Sequence, residues 1–246
     1  MTRTFSVRYC AFITVNVGYG DGTGTDYAAA QASGEYYIGQ TVTASLEFTD
    51  KGKALGTKFV GLSDKNGDEY EYELVPSAGQ VLVSFIMSEK TEEITLRTDK
   101  ISDGKIISFG RTDGTTFDGS STYDGYSIDV SWTSGISGSI ELYVSGELKE
   151  RILNAGEYLV IARVADENNS FVGEYETKFT VNKRTLVLSD DETKYAEFLT
   201  TVYEKGKKER THVFPATEQS AVSGAAETNG RETPVVTLTF EFAKET

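Results

Sequence analysis

Apolar and polar residues alternate in short runs along most of this chain. Ser127-Ile128-Asp129-Val130-Ser131-Trp132, Ser139-Ile140-Glu141-Leu142-Tyr143-Val144 and Tyr158-Leu159-Val160-Ile161-Ala162-Arg163-Val164 each place an apolar residue at every second position. A period of two marks a strand with one buried face, because successive side chains point to opposite sides of a sheet. Gly, Asn and Asp separate the runs, so this stretch predicts a small antiparallel β-sandwich. Nearer the N-terminus, Phe12-Ile13-Thr14-Val15-Asn16-Val17 alternates, the glycine-rich Gly18 to Gly24 interrupts it, and Tyr36 to Leu46 resumes it. Further strands are expected at Lys58 to Leu62, Tyr70 to Val75, Val81 to Met87 and Ile94 to Thr98. Their spacing of about ten residues suits a sandwich or β-grasp sheet.

After Leu186 the period changes. Ser189-Asp190-Asp191-Glu192 has the form of a capping box, with acidic residues at the positive end of a helix dipole. Tyr195, Phe198, Leu199, Val202 and Tyr203 then recur at helical spacing, and Gly206 fits a C-cap. One amphipathic helix is therefore expected, its apolar face packed on its own domain or docked on another subunit. Lys205, Lys207, Lys208 and Arg210 form a basic cluster that reads as a solvated helix end. Residues 216–233 are small and polar, and Val235 to Phe242 closes the chain as a strong strand. That strand either returns to its own sheet or is donated to a neighbour's edge.

These breaks divide the chain into an N-terminal β domain (1–99), an Ig-like sandwich (100–188) and a C-terminal helix-plus-strand segment (189–246). Residues 99–122 read as a linker carrying one strand. The fold class expected is mainly β, with tandem sandwich domains and one short C-terminal helix. Two unlike β domains in series fit better than one repeated unit.

Charge narrows the partners. A net charge of −14 disfavours nucleic acid and anionic membranes, both of which need a basic face. No apolar run approaches the 18 residues or so of a membrane span, and the N-terminus has no signal-like apolar core. The single cysteine, Cys10, has no disulfide partner within the chain and reads as a small buried hydrophobe. The reading of the N-terminus is a fork: a fragment of a longer exported protein, or a protein that leaves the cell without a signal, as virion proteins do.

Candidate chemistry is sparse. His212 is the only histidine, which removes His-x-x-x-His metal spacing and leaves any Ser-His-Asp arrangement dependent on one residue at a strand end. Asp64-Lys65-Asn66-Gly67-Asp68 sets side-chain oxygens at alternate positions, as a calcium loop does. Glu69 stands where that loop needs its turn glycine, and no bidentate Glu follows at the right distance. Asn66-Gly67 between two strands is the simpler hairpin turn. No Gly-Lys-Ser or Gly-Lys-Thr follows the glycine run, so it is not a phosphate loop. The 14 tyrosines either cover sheet faces or form sugar-stacking platforms. No catalytic, cofactor or metal residue is assigned.

Tyr123-Asp124-Gly125, Asn154-Ala155-Gly156-Glu157-Tyr158 and Phe179-Thr180-Val181-Asn182-Lys183-Arg184-Thr185-Leu186 together resemble the MBG-type Ig-like repeats of large bacterial surface proteins, over residues 120–187. Gly22-Thr23-Gly24, Gly34 to Val42 and Lys58-Phe59-Val60-Gly61-Leu62-Ser63-Asp64 resemble the internalin B-repeat, over residues 11–98, with Leu62 where that family has Trp. Both resemblances imply spacer or adhesive modules of bacterial surface proteins, without catalysis. The expected function is a non-enzymatic structural or adhesive protein. The alternatives are a phage decoration, fibre or tail subunit assembled through Tyr195, Phe198, Leu199, Val202 or the strand Val235 to Phe242, and a carbohydrate-binding module.

Overall fold

A computed structural model describes residues 13–183, apart from 21, 33–34, 78, 89–92 and 134, and the backbone of strands at 10–12, 187–188, 209–214, 222–223 and 236–241. The chain is mainly β. It begins with β1 (Cys10–Phe12), β2 (Thr14–Tyr19), β3 (Gly22–Thr23), β4 (Ala28–Gln31), β5 (Glu35–Tyr37) and β6 (Thr41–Phe48). A short helix α1 (Asp50–Leu55) leads into β7 (Thr57–Asp64), β8 (Glu69–Tyr70), β9 (Glu73–Val75), β10 (Val81–Ile86) and β11 (Glu93–Lys100). Next come β12 (Ile107–Gly110), β13 (Thr116–Phe117), β14 (Ser120–Thr122), β15 (Asp129–Trp132) and β16 (Gly138–Val144). β17 (Glu147–Lys149), β18 (Gly156–Ala165) and the long β19 (Phe171–Asn182) follow. The last strands are β20 (Val187–Leu188), β21 (Glu209–Phe214), β22 (Val222–Ser223) and β23 (Val236–Glu241).

Alternation in the sequence becomes burial in the structure. Val42, Ala44 and Leu46 of β6 stand opposite Phe85, Val83 and Val81 of β10, and all six are buried. They form a first core with Leu62, Ile94 and Leu96. A second core gathers Ile107, Phe109, Ile128, Ile152, Val160, Ala162, Phe179 and Val181. Full burial of each large aliphatic or Phe side chain contributes about 1.5–3 kcal/mol. Four strands in the order β4-β6-β10-β9 cover the first core on one side, and three in the order β13-β12-β15 cover the second. A ten-stranded sheet, whose main path is β17-β16-β18-β19-β7-β11-β2-β3, backs both.

Several local expectations change. Ile13 breaks the first run, so Cys10–Phe12 pairs with β5 while Thr14–Tyr19 enters the large sheet. The run Tyr70 to Val75 is two strands: β8 pairs with β7 and β9 with β10, so the chain crosses between sheets at Glu71 and Tyr72. Not every ladder is antiparallel, because β11 pairs with β2 and β14 with β19 in parallel. Residues 99–122, expected as a linker with one strand, hold the end of β11 and all of β12, β13 and β14, and Ile107 and Phe109 are buried in the second core.

Helix α1 has no counterpart in the sequence reading. The Thr49 hydroxyl accepts the Gly52 amide at 3.1 Å, Asp50 sits in the first turn, and Gly56 ends the helix at φ +76° with its N–H on the Lys53 carbonyl. Six residues span fewer than two turns, too few for an apolar period to show. The C-terminal helix expected from Ser189 to Gly206, with Tyr195, Phe198, Leu199 and Val202, lies outside the described residues. The closing strand is found as β23, paired antiparallel with β21 from Glu209↔Glu241 to Phe214↔Val236, which places His212 within a strand.

Candidate functional site

The strand that organises the molecule is β19. It pairs along its length with β18, takes β14 in parallel near its end, and at Gly173↔Lys58 and Glu174↔Thr57 pairs with β7. Those two residue pairs join the sheet behind the first core to the sheet behind the second. Gly173 is there because the strands run too close for a side chain: a Cβ would lie 2.7 Å from Lys58 Cβ and 2.9 Å from the Thr57 carbonyl oxygen. Phe171 reaches into the first core, its ring edge-on to Phe48 at 6.3 Å. On the other flank, the Gly56 carbonyl accepts the Ile101 amide at 2.9 Å, and Ile106 and Tyr175 close over Gly56.

Charges are threaded through this seam. Glu174 is 4% exposed, with Lys53 Nζ from α1 at 3.3 Å and Arg163 Nε from β18 at 3.7 Å. Lys53 also meets Glu176 at 3.2 Å, and an Arg163 terminal nitrogen donates to Glu141 Oε2 at 2.6 Å. The Tyr143 hydroxyl donates to the same oxygen at 2.9 Å. Glu141, Arg163, Glu174, Lys53 and Glu176 thus alternate in sign from β16 through β18 and β19 to α1 and back to β19. Burial pushes the Glu174 carboxyl above its ordinary value, against the pull of Lys53 and Arg163. Hydrogen bonding from Arg163 holds Glu141 below its own. Arg163 Nε is buried without a hydrogen-bond partner, and 3.7 Å is too long to make Glu174 one, so that contact is Coulombic. Desolvation offsets much of the Coulombic gain in a buried contact of this kind.

The Asp64 to Asp68 segment is a hairpin turn that satisfies itself. Asp64 Oδ1 accepts the amides of Asn66 at 2.8 Å and Asp68 at 3.0 Å, and the Gly67 amide donates to the Asp64 carbonyl at 3.0 Å. The loop Asp166 to Ser170 repeats the arrangement: Asp166 Oδ1 accepts the amides of Asn168 and Ser170, and the Asn169 amide donates to the Asp166 carbonyl. Gly67 at φ +85° and Asn169 at φ +59° occupy equivalent places. Asp64 therefore spends its oxygen on backbone amides. Among the described residues no group of three or more His, Cys, Asp or Glu is gathered to hold a metal ion.

Several described tyrosines are held by contacts within the chain. Tyr158 is buried, its hydroxyl accepting the Leu153 amide at 3.2 Å and donating to the Asn154 carbonyl at 3.0 Å, so Asn154 to Tyr158 is a turn latched by its own aromatic residue. The Tyr70 hydroxyl donates to the Ile86 carbonyl at 2.6 Å. Tyr19 and Tyr27 stack on each other at 3.9 Å, with Lys51 over the Tyr27 ring. Tyr126 lies against the Arg111 guanidinium, itself ion-paired with Asp124 at 2.9 Å.

Among the described residues, clefts open on the second core. One of about 530 Å³ has Ile106, Phe117 and Tyr175 in its wall and the Lys105–Asp118 ion pair at its rim. Another, of about 650 Å³, lies between β15 and the β16–β17 hairpin, lined by Ile128, Val130, Ile140, Leu142 and Leu148 with charged residues around them. Neither lining sets a nucleophile beside a histidine or a cysteine. Among the described residues no helix is long and apolar enough to cross a membrane. Compared with family models, curated proteins and solved structures, the chain matches none.

Proposed function

We propose that this chain is a non-enzymatic structural or adhesive protein in which two Ig-like or β-grasp-like domains are held in rigid series. It acts as a spacer or interaction module on a bacterial surface or a phage particle. The observation that carries the reading is the seam at Gly173 and Glu174. Domains in one chain move relative to each other by default unless their interface is large and apolar. Here backbone pairing, a shared aromatic contact and buried ion pairs all cross the junction. A stiff junction is what a spacer needs and what a pair of independently tumbling binding domains lacks. The resemblances to MBG-type and internalin-type repeats support the same reading.

Small-angle scattering of the full chain tests it. A profile fitted by one fixed arrangement of the two cores is expected, with no turnover or glycan binding required. A profile that needs an ensemble of hinge angles overturns the spacer. Retention on a broad glycan array, lost when exposed Tyr37 or Tyr72 is changed to Ala, replaces it with a carbohydrate-binding module.

One observation favours the assembly reading, in which the chain is a virion decoration, fibre or tail subunit. β21 and β23 pair only with each other among the described residues. A two-stranded ribbon is marginal in water until something joins its edge or covers it.

A further inference from the structure

We infer that the 650 Å³ cleft between β15 and β17 accepts the β23 strand of a second copy of this chain, an inference that rests on the assembly reading above. The cleft lies between two sheet edges. β17 ends the ten-stranded sheet and β15 ends the three-stranded one. The Ile128 amide donates to the Ile152 carbonyl at 2.8 Å and closes one end of the opening. Backbone groups alternate sides along a strand, so the N–H and C=O of Val130 face the same way as those of Ile128, into the cleft. Across from them, Val144 and Glu147 close a two-residue turn through Ser145 at φ +51° and Gly146 at φ +83°. The pair closing such a turn is hydrogen-bonded, which leaves the N–H and C=O of Leu148 pointing off the free edge. Between these edges the lining is mixed: Ile128 and Leu142 are buried, Val130 and Ile140 half-buried, and Leu148 is 64% exposed at the rim, with charged side chains such as Glu141 and Lys149 completing it.

An occupant that fits has backbone groups for both edges and an apolar residue at every second position. β23 reads Val236-Thr237-Leu238-Thr239-Phe240-Glu241, and its edge away from β21 has no partner strand among the described residues. Among the described residues the cleft and that edge are both left open, and two copies satisfy both. Donor and acceptor are different surfaces, so the contact is head-to-tail and closes into a ring or extends into a filament.

Light scattering of the full chain from about 1 to 100 μM, a range in which modest contacts register, tests this. The average mass of the wild type should rise with concentration. Leu148→Asp, at an exposed position, should keep the wild-type melting curve and weaken association at least about tenfold. Leu238→Asp should weaken it similarly. If Leu238→Asp dissociates the assembly and Leu148→Asp does not, the assembly reading stands and the cleft is wrong. A wild type monomeric throughout overturns both.

Discussion

Replacing Gly173 by Ala tests the seam most directly. The new Cβ would stand 2.7 Å from Lys58 Cβ, 2.9 Å from the Thr57 carbonyl oxygen and 3.0 Å from Lys58 Cα. Carbon atoms in contact prefer about 3.5–4.0 Å, so β7 and β19 must separate by most of an ångström. All three neighbours are backbone or Cβ atoms, which have no rotamer to escape into. Separation stretches the two-pair ladder, whose hydrogen bonds are worth about 1 kcal/mol each, and loosens the packing of Glu174 against Lys53. Adding the cost of overpacking, the loss should be about 2–4 kcal/mol. For a unit of this size that lowers Tm by roughly 5–15 °C. Each core is a separate cluster, so weakening the seam should also split unfolding. Calorimetry should show one transition in the wild type and two in the variant, with the van't Hoff enthalpy falling below the calorimetric one. Gly104→Ala, where a Cβ meets nothing nearer than Ser102 Oγ at 3.8 Å, is the control and should stay within about 0.5 kcal/mol. A Gly173→Ala protein that melts once, at the wild-type temperature, refutes the account.

Three further outcomes follow from the same geometry. Burial raises the folded-state pKa of Glu174 above the unfolded value near 4.3, so its stabilising contribution is complete below that pH and is lost as pH rises through the folded value. Glu141, held low by Arg163, works in the opposite sense, so the measurement is the stability difference between wild type and Glu174→Gln by urea unfolding. That difference should move against the wild type from pH 4 to pH 7, and movement in its favour contradicts a desolvated carboxyl. Asp64→Ala should cost about 1–3 kcal/mol by freeing two turn amides, while calcium or a chelator should leave the wild-type Tm unchanged. A calcium-dependent rise in Tm restores the metal reading of that loop. Tyr158→Phe strands the Leu153 amide in a buried turn and should cost about 1–3 kcal/mol by denaturant unfolding, and a neutral result removes the latch.

Period-two patterning made the strands legible because burial on one face leaves its mark at every second residue, as in β6 and β10. What joins them was not legible. The β7–β19 contact pairs Lys58 with Gly173, positions far apart in the chain, and nothing local announces it. A glycine inside the apolar run Phe171-Val172-Gly173 was the available signal, since glycine in a strand marks close backbone approach. Glu174 and Glu176 share one face of an alternating strand, and Glu174 is buried there beside Lys53 of α1, a partner that no local pattern announces. Helix α1 is invisible to periodicity and visible only through its caps, Thr49 and Gly56. In the Asn154 to Tyr158 motif the aromatic hydroxyl ties down the turn four and five residues before it, a contact that needs the folded turn and leaves no period in the sequence. The broad class, mainly β, was therefore open to reading, and the seam and the clefts were not.

The order β19-β7-β11-β2 has a mechanical consequence. β19 runs antiparallel to β7, β7 antiparallel to β11, and β11 parallel to β2, so the first and last strands of the two-core body point the same way. Tension applied at the start of β2 and the end of β19 then pulls neighbouring strands past one another. Every hydrogen bond of a ladder loaded in this way resists together, whereas a ladder peeled from one end yields a bond at a time. The shortest ladder on that path is the one at Lys58 and Gly173, so a stretched chain would part there first, separating the two cores while each remained folded.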